Sequence, residues 1–454
     1  MPDLRLGVDL GETHAEAVVL DDSDRVLARA RTPVGENVEA SLRATLDAVS
    51  DGEGVDPRRI TRAVLGSAAA LEAVERRRGL RRVAVLRIGA PLTLAIPPLA
   101  TWPAALRGAV SAGEVVVSGG AEYDGRMVLP LDEVAVTRFL ATVAGAAESV
   151  AVTSLFSPIS PEHELAAAEL VRRELGGSMR VSLSHEIGTM GLLERENASV
   201  LNAALFGVVE GLLETMRQTL EPRHIDAELF IAKGDGTVMT PEHSLRFPVH
   251  MLGSGPASAI RGGAWLSGAV DGVTFDVAAR GATVGMLVNG RPHERTAPID
   301  LAGIGANLRL PEILTLALGG GAIDERALTA TLEIAARVQP VATYVVLGHG
   351  AAARELAGRL ARVGEAIVPG DGEVARAVGL VIAPAGGRAD RICVNRESAR
   401  ATTLQAARAD ALAHAIHAGA DPDGVRIVEI EEVPLSGLLD PPIRIAVRAA
   451  GPLA

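Results

Sequence analysis

The sequence contains the same strand–turn–strand–turn–strand pattern twice, once at its start and once past its middle. Each copy consists of three short apolar strands separated by tight turns. The predicted strands are 4–10, 15–20 and 25–31 in the first copy and 272–278, 282–288 and 291–296 in the second. A repeat of this kind predicts two similar lobes, and it constrains the fold more than any other feature of the chain.

Strands and helices alternate between the two copies, with a strongly periodic helix predicted at 162–175. This order predicts an α/β fold built in layers. Beyond residue 385 the pattern changes to a helix at 399–418 and two strands, 425–432 and 443–449. We interpret this last part as a small α/β tail.

Charge and apolar content exclude several classes of protein. A net charge of −12 disfavours a nucleic-acid scaffold, which needs a basic face to displace counterions. The single cysteine, Cys393, excludes an intramolecular disulfide framework. The uncharged run at 88–106 is interrupted by prolines, so we expect a buried or inter-lobe loop there and no membrane span. Since no signal peptide is recognised, we expect a cytoplasmic protein.

The first turn of the first copy has the composition of a phosphate-binding loop. Asp9 ends a strand, Gly11 lets the backbone approach an oxyanion, and Thr13 supplies a hydroxyl beside Glu12. The Asp9 carboxylate is suited to Mg²⁺, directly or through water. A plain hairpin turn is the alternative interpretation.

The equivalent turn of the second copy begins at Asp276. Two such turns facing each other would hold a polyphosphate from both sides. Here, however, Ala278 and Ala279 stand where glycines are expected, and each Cβ keeps the backbone away from an oxyanion. Arg280, followed by Gly281, offers a guanidinium that pairs with phosphate directly. A retained turn that has lost its function is the alternative.

Three further segments combine small residues with a helix start or a helix contact. Gly348-His349-Gly350 follows a strand and precedes a helix, which leaves room for a nucleoside over a helix N-terminus. Segment 375–380 has small residues spaced for close helix packing, and segment 254–258 begins a helix. Packing alone is the alternative explanation for each of them.

Several blocks of the sequence occur in an order and spacing that are typical of one family. These blocks are 7–13, 152–164, 182–186, 193–203, 233–236, 254–258, 274–276 and 347–351. Gly7-Val8-Asp9-Leu10-Gly11-Glu12-Thr13, for example, is similar to a phosphate loop that usually reads G-V-D-x-G-G-T. Over residues 4–385 the chain resembles the hydantoinase A/5-oxoprolinase family, a branch of the actin/Hsp70/sugar-kinase ATPase superfamily.

The resemblance implies a two-lobed actin-like ATPase (ribonuclease H-like) fold with nucleotide in the cleft. The regions it implies are an N-terminal lobe at 1–185, a second lobe at 186–385 and the tail at 386–454. It also implies ATP-dependent opening of a cyclic amide such as a hydantoin or 5-oxoproline, with Mg²⁺ neutralising the phosphates. A B-type subunit is the implied partner, and a homo-oligomer is left open.

The resemblance also assigns roles to individual residues. Asp9 and Asp276 would be the catalytic and metal-organising carboxylates. The residues implied to line the nucleotide site are Gly11, Glu12, Thr13, Arg280, Gly281, Gly348, His349 and Gly350.

Departures from the family pattern leave a second interpretation open. The second phosphate loop lacks its G-G-T, and the family's H-G-T-T appears as Leu65-Gly66-Ser67-Ala68. Leu314 stands where a metal-suited histidine is expected. The alternative is therefore a catalytically weakened subunit that binds a nucleotide or a partner. A small-molecule kinase is less favoured, because no sugar-kinase substrate block is recognised. Among the histidines, the His185-Glu186 pair is the candidate, with an exposed helix start as the alternative.

Overall fold

The computed structural model describes residues 3–35, 37–188, 191–278, 281–295, 297–319, 322–338, 343–348, 350–393, 397–435 and 442–454. Strands and helices follow one another along most of this length. The strands are β1 (Leu4–Leu10), β2 (His14–Leu20), β3 (Val26–Pro33), β4 (Ile60–Ser67), β5 (Val83–Ala90), β6 (Ser111–Ser118), β7 (Ser149–Ser154), β8 (Arg180–Leu183), β9 (Glu228–Ala232), β10 (Val238–Met239), β11 (Gly272–Ala278), β12 (Gly281–Val288), β13 (Arg291–Pro292), β14 (Ile299–Leu301), β15 (Ile304–Ala306), β16 (Ile313–Gly319), β17 (Ala322–Ile323), β18 (Thr343–Leu347), β19 (Glu365–Ile367), β20 (Ala385–Cys393), β21 (Arg426–Pro434) and β22 (Ile443–Gly451). The α-helices are α1 (Val38–Ser50), α2 (Ala69–Arg76), α3 (Ala104–Val110), α4 (Glu133–Val143), α5 (Glu162–Leu175), α6 (Leu192–Leu220), α7 (Pro241–Arg246), α8 (Ser254–Ser267), α9 (Glu325–Val338), α10 (Ala351–Leu360), α11 (Ala375–Val381) and α12 (Glu397–His417).

Within the described residues, three larger sheets organise the fold. A nine-stranded sheet has the order β21-β22-β20-β10-β9-β4-β1-β2-β3. A seven-stranded sheet has the order β17-β16-β12-β11-β18-β19, with β13 paired to β12. These two sheets are the centres of the two lobes. A four-stranded sheet, β6-β5-β7-β8, packs on α6 as a smaller unit.

The sequence repeat is present as two units of the same topology. In the first unit, β2 lies antiparallel between β1 and β3, and β1 pairs parallel with β4. In the second unit, β12 lies antiparallel between β11 and β16, and β11 pairs parallel with β18. The two predicted lobes are therefore confirmed at the level of strand order and direction.

The third strand of the second unit is not the one that the sequence predicts. The predicted strand at 291–296 is confirmed only at its start: β13 pairs with β12 but covers two residues and ends at Pro292, which has no amide hydrogen for a ladder, and residue 296 lies outside the described residues. The place of a third strand against β12 is taken by β16. The β14–β15 hairpin lies in the intervening segment. The alternation of apolar residues in β16 lets Leu316 pack into the core of the second lobe.

The sheets cross both predicted region boundaries, 185 and 385. Strands β9 and β10 come from the middle region yet pair into the sheet that contains β1. The tail strands β20, β22 and β21 extend the same sheet, and α12 packs on β20 and β22. The tail is thus α/β, as expected, but it is continuous with the first lobe. The division into three regions stays a prediction.

Two apolar segments that raise the membrane question have different structures. The run at 88–106 comprises the end of β5, a series of turns and the start of α3, and it is only partly buried: Leu99 and Trp102 lie in the core, whereas Leu92 and Leu94 are exposed. In the described part of the chain, one helical stretch, Leu192–Arg223, is long and apolar enough to cross a membrane. Most of it is buried inside the protein, so the core accounts for its apolar residues.

Helices α8 and α11 cross so closely that only glycine fits at the contact. A Cβ on Gly262 would lie 1.8 Å from the backbone oxygen of Ala375, and one on Gly379 would lie 1.9 Å from that of Ser258. Real Cβ atoms never approach a carbonyl so closely, and backbone cannot move aside cheaply. The crossing fixes the start of α11 against α8, and this position matters for the site described below.

We expect Gly379→Ala to destabilise the protein by about 3 kcal/mol, because the new methyl group would push the two helices apart. Gly211→Ala is the matched control: Gly211 is also inside a helix, but a Cβ there meets nothing within 4 Å. That variant should be more stable than the wild type by about 0.5–1 kcal/mol. Urea unfolding of the three proteins measures both effects, and equal stabilities of the two variants would contradict the close crossing.

Candidate functional site

The first repeat unit places three charged side chains in one row across its strands. Asp9 on β1 is opposite Glu16 on β2, and Glu16 is opposite Arg31 on β3. On the other side, Asp9 is opposite Gly66 of β4, where a Cβ would lie 2.5 Å from Asp9 Oδ1. Gly66, part of the segment that departs from the family's H-G-T-T, therefore leaves the space that the Asp9 carboxylate occupies.

The second unit supplies a carboxylate at the equivalent strand end. Asp276 lies on β11 opposite Thr283 of β12, as Asp9 lies on β1 opposite Glu16. Its partner is Arg376, at the start of α11: Nε and Nη2 of the guanidinium donate to Asp276 Oδ2 at 2.9 and 2.7 Å.

The same guanidinium also faces the first unit. Arg376 Nη1 lies 3.7 Å from Asp9 Oδ2. Asp9 and Asp276 therefore converge on one cation, although 267 positions separate them along the chain. The prediction that Asp9 and Asp276 lie close together is confirmed.

Burial and like charges set the protonation of this cluster. Burial raises the pKa of Asp9, and the Arg376 charge opposes that shift. Burial raises the pKa of Glu16 to about 8; Arg376 opposes this shift, and the Asp9 carboxylate reinforces it. The Asp276 carboxylate raises the pKa of Arg376 further above its usual range. At neutral pH, Arg376 is therefore charged and Glu16 holds a proton, which relieves the repulsion between facing acids.

Two residues at this site carry polar atoms without a partner. Asp9 Oδ1 and Ser254 Oγ are buried and have no hydrogen-bond partner. Ser254 begins α8, and a Cβ on the next residue, Gly255, would lie 3.8 Å from Arg376 Nη1. A Cβ on Gly11 would lie 3.2 Å from the same nitrogen. A cation, a helix N-terminus and two glycines thus meet at one point, an arrangement suited to a phosphate group.

The first turn itself is closed by its own hydrogen bonds. The amide of Gly11 donates to the carbonyl of His14 at 3.1 Å, and the Thr13 hydroxyl lies 3.0 Å from His14 Nδ1. Glu12 is exposed, 4.0 Å from Arg76. The Gly11 amide is therefore used within the hairpin, and the roles predicted for these residues stay predictions.

On the second lobe, the predicted nucleotide-site residues are partly described. Gly348 has a φ of +95°, and a Cβ there would lie 2.8 Å from the carbonyl oxygen of Val277, next to Asp276. Gly350 begins α10 with open space around it, and Gly281 pairs with Ala317 inside the sheet. Arg280, Ala279 and His349 lie outside the described residues.

The residues as placed do not form a metal site. Within the described residues, no group of three or more His, Cys, Asp and Glu side chains is arranged to hold a metal ion. Arg376 already lies against both carboxylates that were predicted to bind Mg²⁺. Leu314, at the position of the expected histidine, pairs with β12 and packs against the core of the second lobe. The metal role of Asp9 and Asp276 stays a prediction, and we derive no step through a metal.

The candidate pair His185-Glu186 does not form. His185 Nδ1 lies 2.7 Å from Glu164 Oε2, whereas Glu186 pairs with Arg246. Burial alone would raise the pKa of Glu164, but hydrogen bonds from His185 and Ser184 outweigh it and hold that pKa below its usual value. This network joins β7, β8 and α5 at one edge of the four-stranded sheet, and it lies outside the Arg376 cluster.

Sequence reasoning missed Arg376 and Glu16. Arg376 is a charged residue inside an otherwise small and apolar helix segment, 375–380, and this contrast was the available signal. Glu16 alternates with apolar residues in β2, opposite Asp9, and only the strand register shows that the two acids face each other.

Because an acid with a raised pKa is protonated in the folded state and ionised in the unfolded state, its titration lowers stability as pH rises. For Glu16 this window runs from 4.5, the ordinary value, to about 8. We expect Glu16→Gln to match the wild type below pH 4.5 and to exceed its free energy of unfolding by on the order of 5 kcal/mol at pH 9.

Urea unfolding at several pH values measures this difference. Glu53→Gln, at an exposed position, is the control and should keep the wild-type pH dependence. If Glu16→Gln and the wild type lose stability in parallel between pH 5 and pH 9, Glu16 is not the titrating group.

Comparison with known proteins agrees with this architecture. Residues 5–175 match the family model described as hydantoinase/oxoprolinase N-terminal region, and residues 195–351 match the model described as hydantoinase/oxoprolinase. A curated relative, an uncharacterized protein of Methanocaldococcus jannaschii, is 24% identical over 218 residues, which cover 44% of this chain and 32% of that protein. The matched region thus spans about a third of that relative's length.

Two solved structures share the fold. An ATP-dependent caprolactamase from Pseudomonas jessenii superimposes with a TM-score of 0.78 at 16% identity, over 99% of this chain and 88% of that one. A nucleotide-free acetone carboxylase does so with a TM-score of 0.68 at 13% identity, over 100% of this chain and 88% of that one. The predicted two-lobed actin-like α/β fold is confirmed.

Proposed function

This chain belongs to the hydantoinase/oxoprolinase family, and we propose that it is an ATP-dependent hydrolase that opens a cyclic amide of the hydantoin or 5-oxoproline class. The observation that supports this proposal most directly is the convergence of Asp9 and Asp276 on Arg376, where the two repeated units meet. Two carboxylates and a guanidinium in one partly buried cleft combine a proton acceptor with a phosphate-binding cation.

The phosphate end of the nucleotide would bind where Arg376, the start of α8 and Gly11 meet. The Ser254 hydroxyl has no hydrogen-bond partner there, so it is free to donate to a phosphate oxygen. Arg376 donates to Asp276 through Nε and Nη2, and its Nη1 is directed towards Asp9. A phosphate that accepts from Nη1 would therefore lie beside both carboxylates.

Asp9 is the side chain best placed to accept a proton. It is buried, its Oδ1 has no hydrogen-bond partner, and burial raises its pKa, which makes the carboxylate a better base. ATP would transfer its γ-phosphoryl group to the ring carbonyl oxygen, with ADP as the leaving group. Water would then attack the activated carbon, the ring C–N bond would break with a proton going to the nitrogen, and phosphate would be released. Asp9 would take the proton from the attacking water, while Arg376 holds the phosphate oxygens and Glu16, protonated, adds no further negative charge.

We expect turnover to depend on Asp9. Asp9→Asn keeps the shape of the side chain but removes the base, so ATP-dependent opening of hydantoin or 5-oxoproline should fall by at least about 100-fold. The assay measures phosphate release and ring-opened product, with the chain alone and with a B-type partner subunit added. If the wild type turns over neither substrate, whether alone or with the partner subunit, the hydrolase proposal is wrong.

A second candidate function, a catalytically weakened nucleotide-binding or partner-binding subunit, is favoured by one specific observation. The Arg376 guanidinium neutralises both carboxylates from within the protein, at the place where an active enzyme of this proposed type would use a metal. Ala278 and Leu314 are the sequence departures that agree with it. In this case nucleotide binds and remains intact.

Calorimetry with ATP separates the two candidates. We expect ATP to bind, and Arg376→Gln to weaken binding by at least about tenfold, because charge-assisted hydrogen bonds to phosphate are lost. Arg138→Gln, on the exposed face of α4, is the matched control and should bind as the wild type does. Binding without hydrolysis supports the second candidate, and fast hydrolysis eliminates it. Binding that is insensitive to Arg376→Gln would place the nucleotide elsewhere.

A further inference from the structure

We propose that a cavity away from the Arg376 cluster binds a small and multiply charged oxyanion of the phosphate class. This cavity has a volume of about 240 Å³. It lies where α8 and β13 of the second lobe face the tail strands β21 and β22, and its lining residues include neither Asp9, Asp276 nor Arg376. We call it the arginine cavity, after Arg261, Arg291, Arg426 and Arg448.

One of the four arginines is already matched by carboxylates. Arg448 Nη1 lies 2.8 Å from Glu294 Oε1 and 3.4 Å from Glu429 Oε2. The acid that lines the cavity, Asp235, is also matched: Lys233 Nζ lies 3.3 Å from its Oδ2, and Thr237 donates to its Oδ1. Arg448 and Asp235 therefore add no unpaired charge to the cavity.

The other three arginines have no carboxylate partner among the described residues. Arg261 Nε donates to the backbone oxygen of Gly236 at 2.6 Å, which satisfies a hydrogen bond but not a charge. Arg291 Nη1 is buried and has no hydrogen-bond partner at all. Arg426, at the start of β21, is exposed at the cavity mouth.

The surroundings of Arg261 disfavour its positive charge. Burial lowers the pKa of Arg261 to about 10; the Asp235 carboxylate opposes this shift, whereas the charges of Arg448 and Arg291 add to it. The guanidinium still carries its charge at neutral pH. Partly buried charges without partners cost free energy, which an anion would offset.

The volume of the cavity and its positive charge indicate the class of ligand. A water molecule occupies about 30 Å³ in the liquid, so the cavity has room for a tetrahedral oxyanion with several waters, but it is smaller than the roughly 300–1,000 Å³ of most pockets for larger ligands. A phosphate group carries about −1.5 to −2 near neutral pH and accepts forked hydrogen bonds from arginine. Three unmatched guanidiniums therefore suit phosphate or a phosphoryl group better than a monocarboxylate.

Calorimetry with inorganic phosphate on the full chain tests the proposal, at an ionic strength kept constant with sodium chloride. We expect binding in the wild type, and at least tenfold weaker binding in Arg291→Gln and in Arg426→Gln. Arg426 is exposed, so its variant keeps the test valid even if Arg291→Gln proves unstable. Arg138→Gln is the control for an exposed arginine elsewhere and should bind as the wild type does.

Two further measurements distinguish this site from the Arg376 cluster and phosphate from other anions. Because Arg376 does not line the arginine cavity, the component of phosphate binding that Arg426→Gln weakens should persist in Arg376→Gln, even where the Arg376 cluster binds phosphate as well. This distinguishes failure of this proposal from failure of the proposed function. Phosphate binding lost in Arg376→Gln but kept in Arg426→Gln would overturn the proposal, as would no binding of phosphate at millimolar concentration. Tighter binding of succinate than of phosphate would overturn the assignment to the phosphate class.

Discussion

The contact of one guanidinium with two carboxylates from different lobes is the interaction on which the centre of this molecule depends. Arg376 donates to Asp276 and lies beside Asp9, so it neutralises two largely buried acids from different lobes. Buried carboxylates without a counter-charge are costly, and the guanidinium offsets this cost on both sides at once. It therefore joins the two lobes at the point where their strands end.

The position of that guanidinium follows from backbone packing. Arg376 is the second residue of α11, and α11 is fixed against α8 by the close approach at Gly262 and Gly379. The same helix α8 carries Arg261 to the arginine cavity on the other side of the crossing. One tightly packed pair of helices thus positions Arg376 of the first proposed anion site and Arg261, one of the four arginines of the second, although the two sites share no residue. We therefore expect a substitution at the crossing to displace both Arg376 and Arg261.

The site around Arg376 combines features that favour catalysis with features that disfavour it. Asp9, with its unpartnered Oδ1 and raised pKa, is equipped to move a proton. Yet the first turn uses the Gly11 amide for its own hairpin, Leu314 packs into a core, and Arg376 takes the place where a metal would be expected. A guanidinium differs from Mg²⁺ in that it cannot collect several ligand oxygens around one centre. The two proposed functions differ in whether that difference abolishes turnover.

The sequence by itself determined the repeat, the α/β class and the convergence of Asp9 with Asp276, because strand periodicity and turn residues are local signals that two copies reinforce. It also placed most helices well; the predicted 162–175, for example, is α5. It could not identify β16 as the third strand of the second unit. The β14–β15 hairpin separates β16 from β12 along the chain, so the sequence does not show that these two strands pair. Only the tertiary structure decided that Glu16 faces Asp9, that Arg376 lies between the two acids, and that arginines from α8, β13 and the tail strands surround one cavity. These are long-range juxtapositions, set by strand register and helix crossing, and no local pattern of residues encodes them.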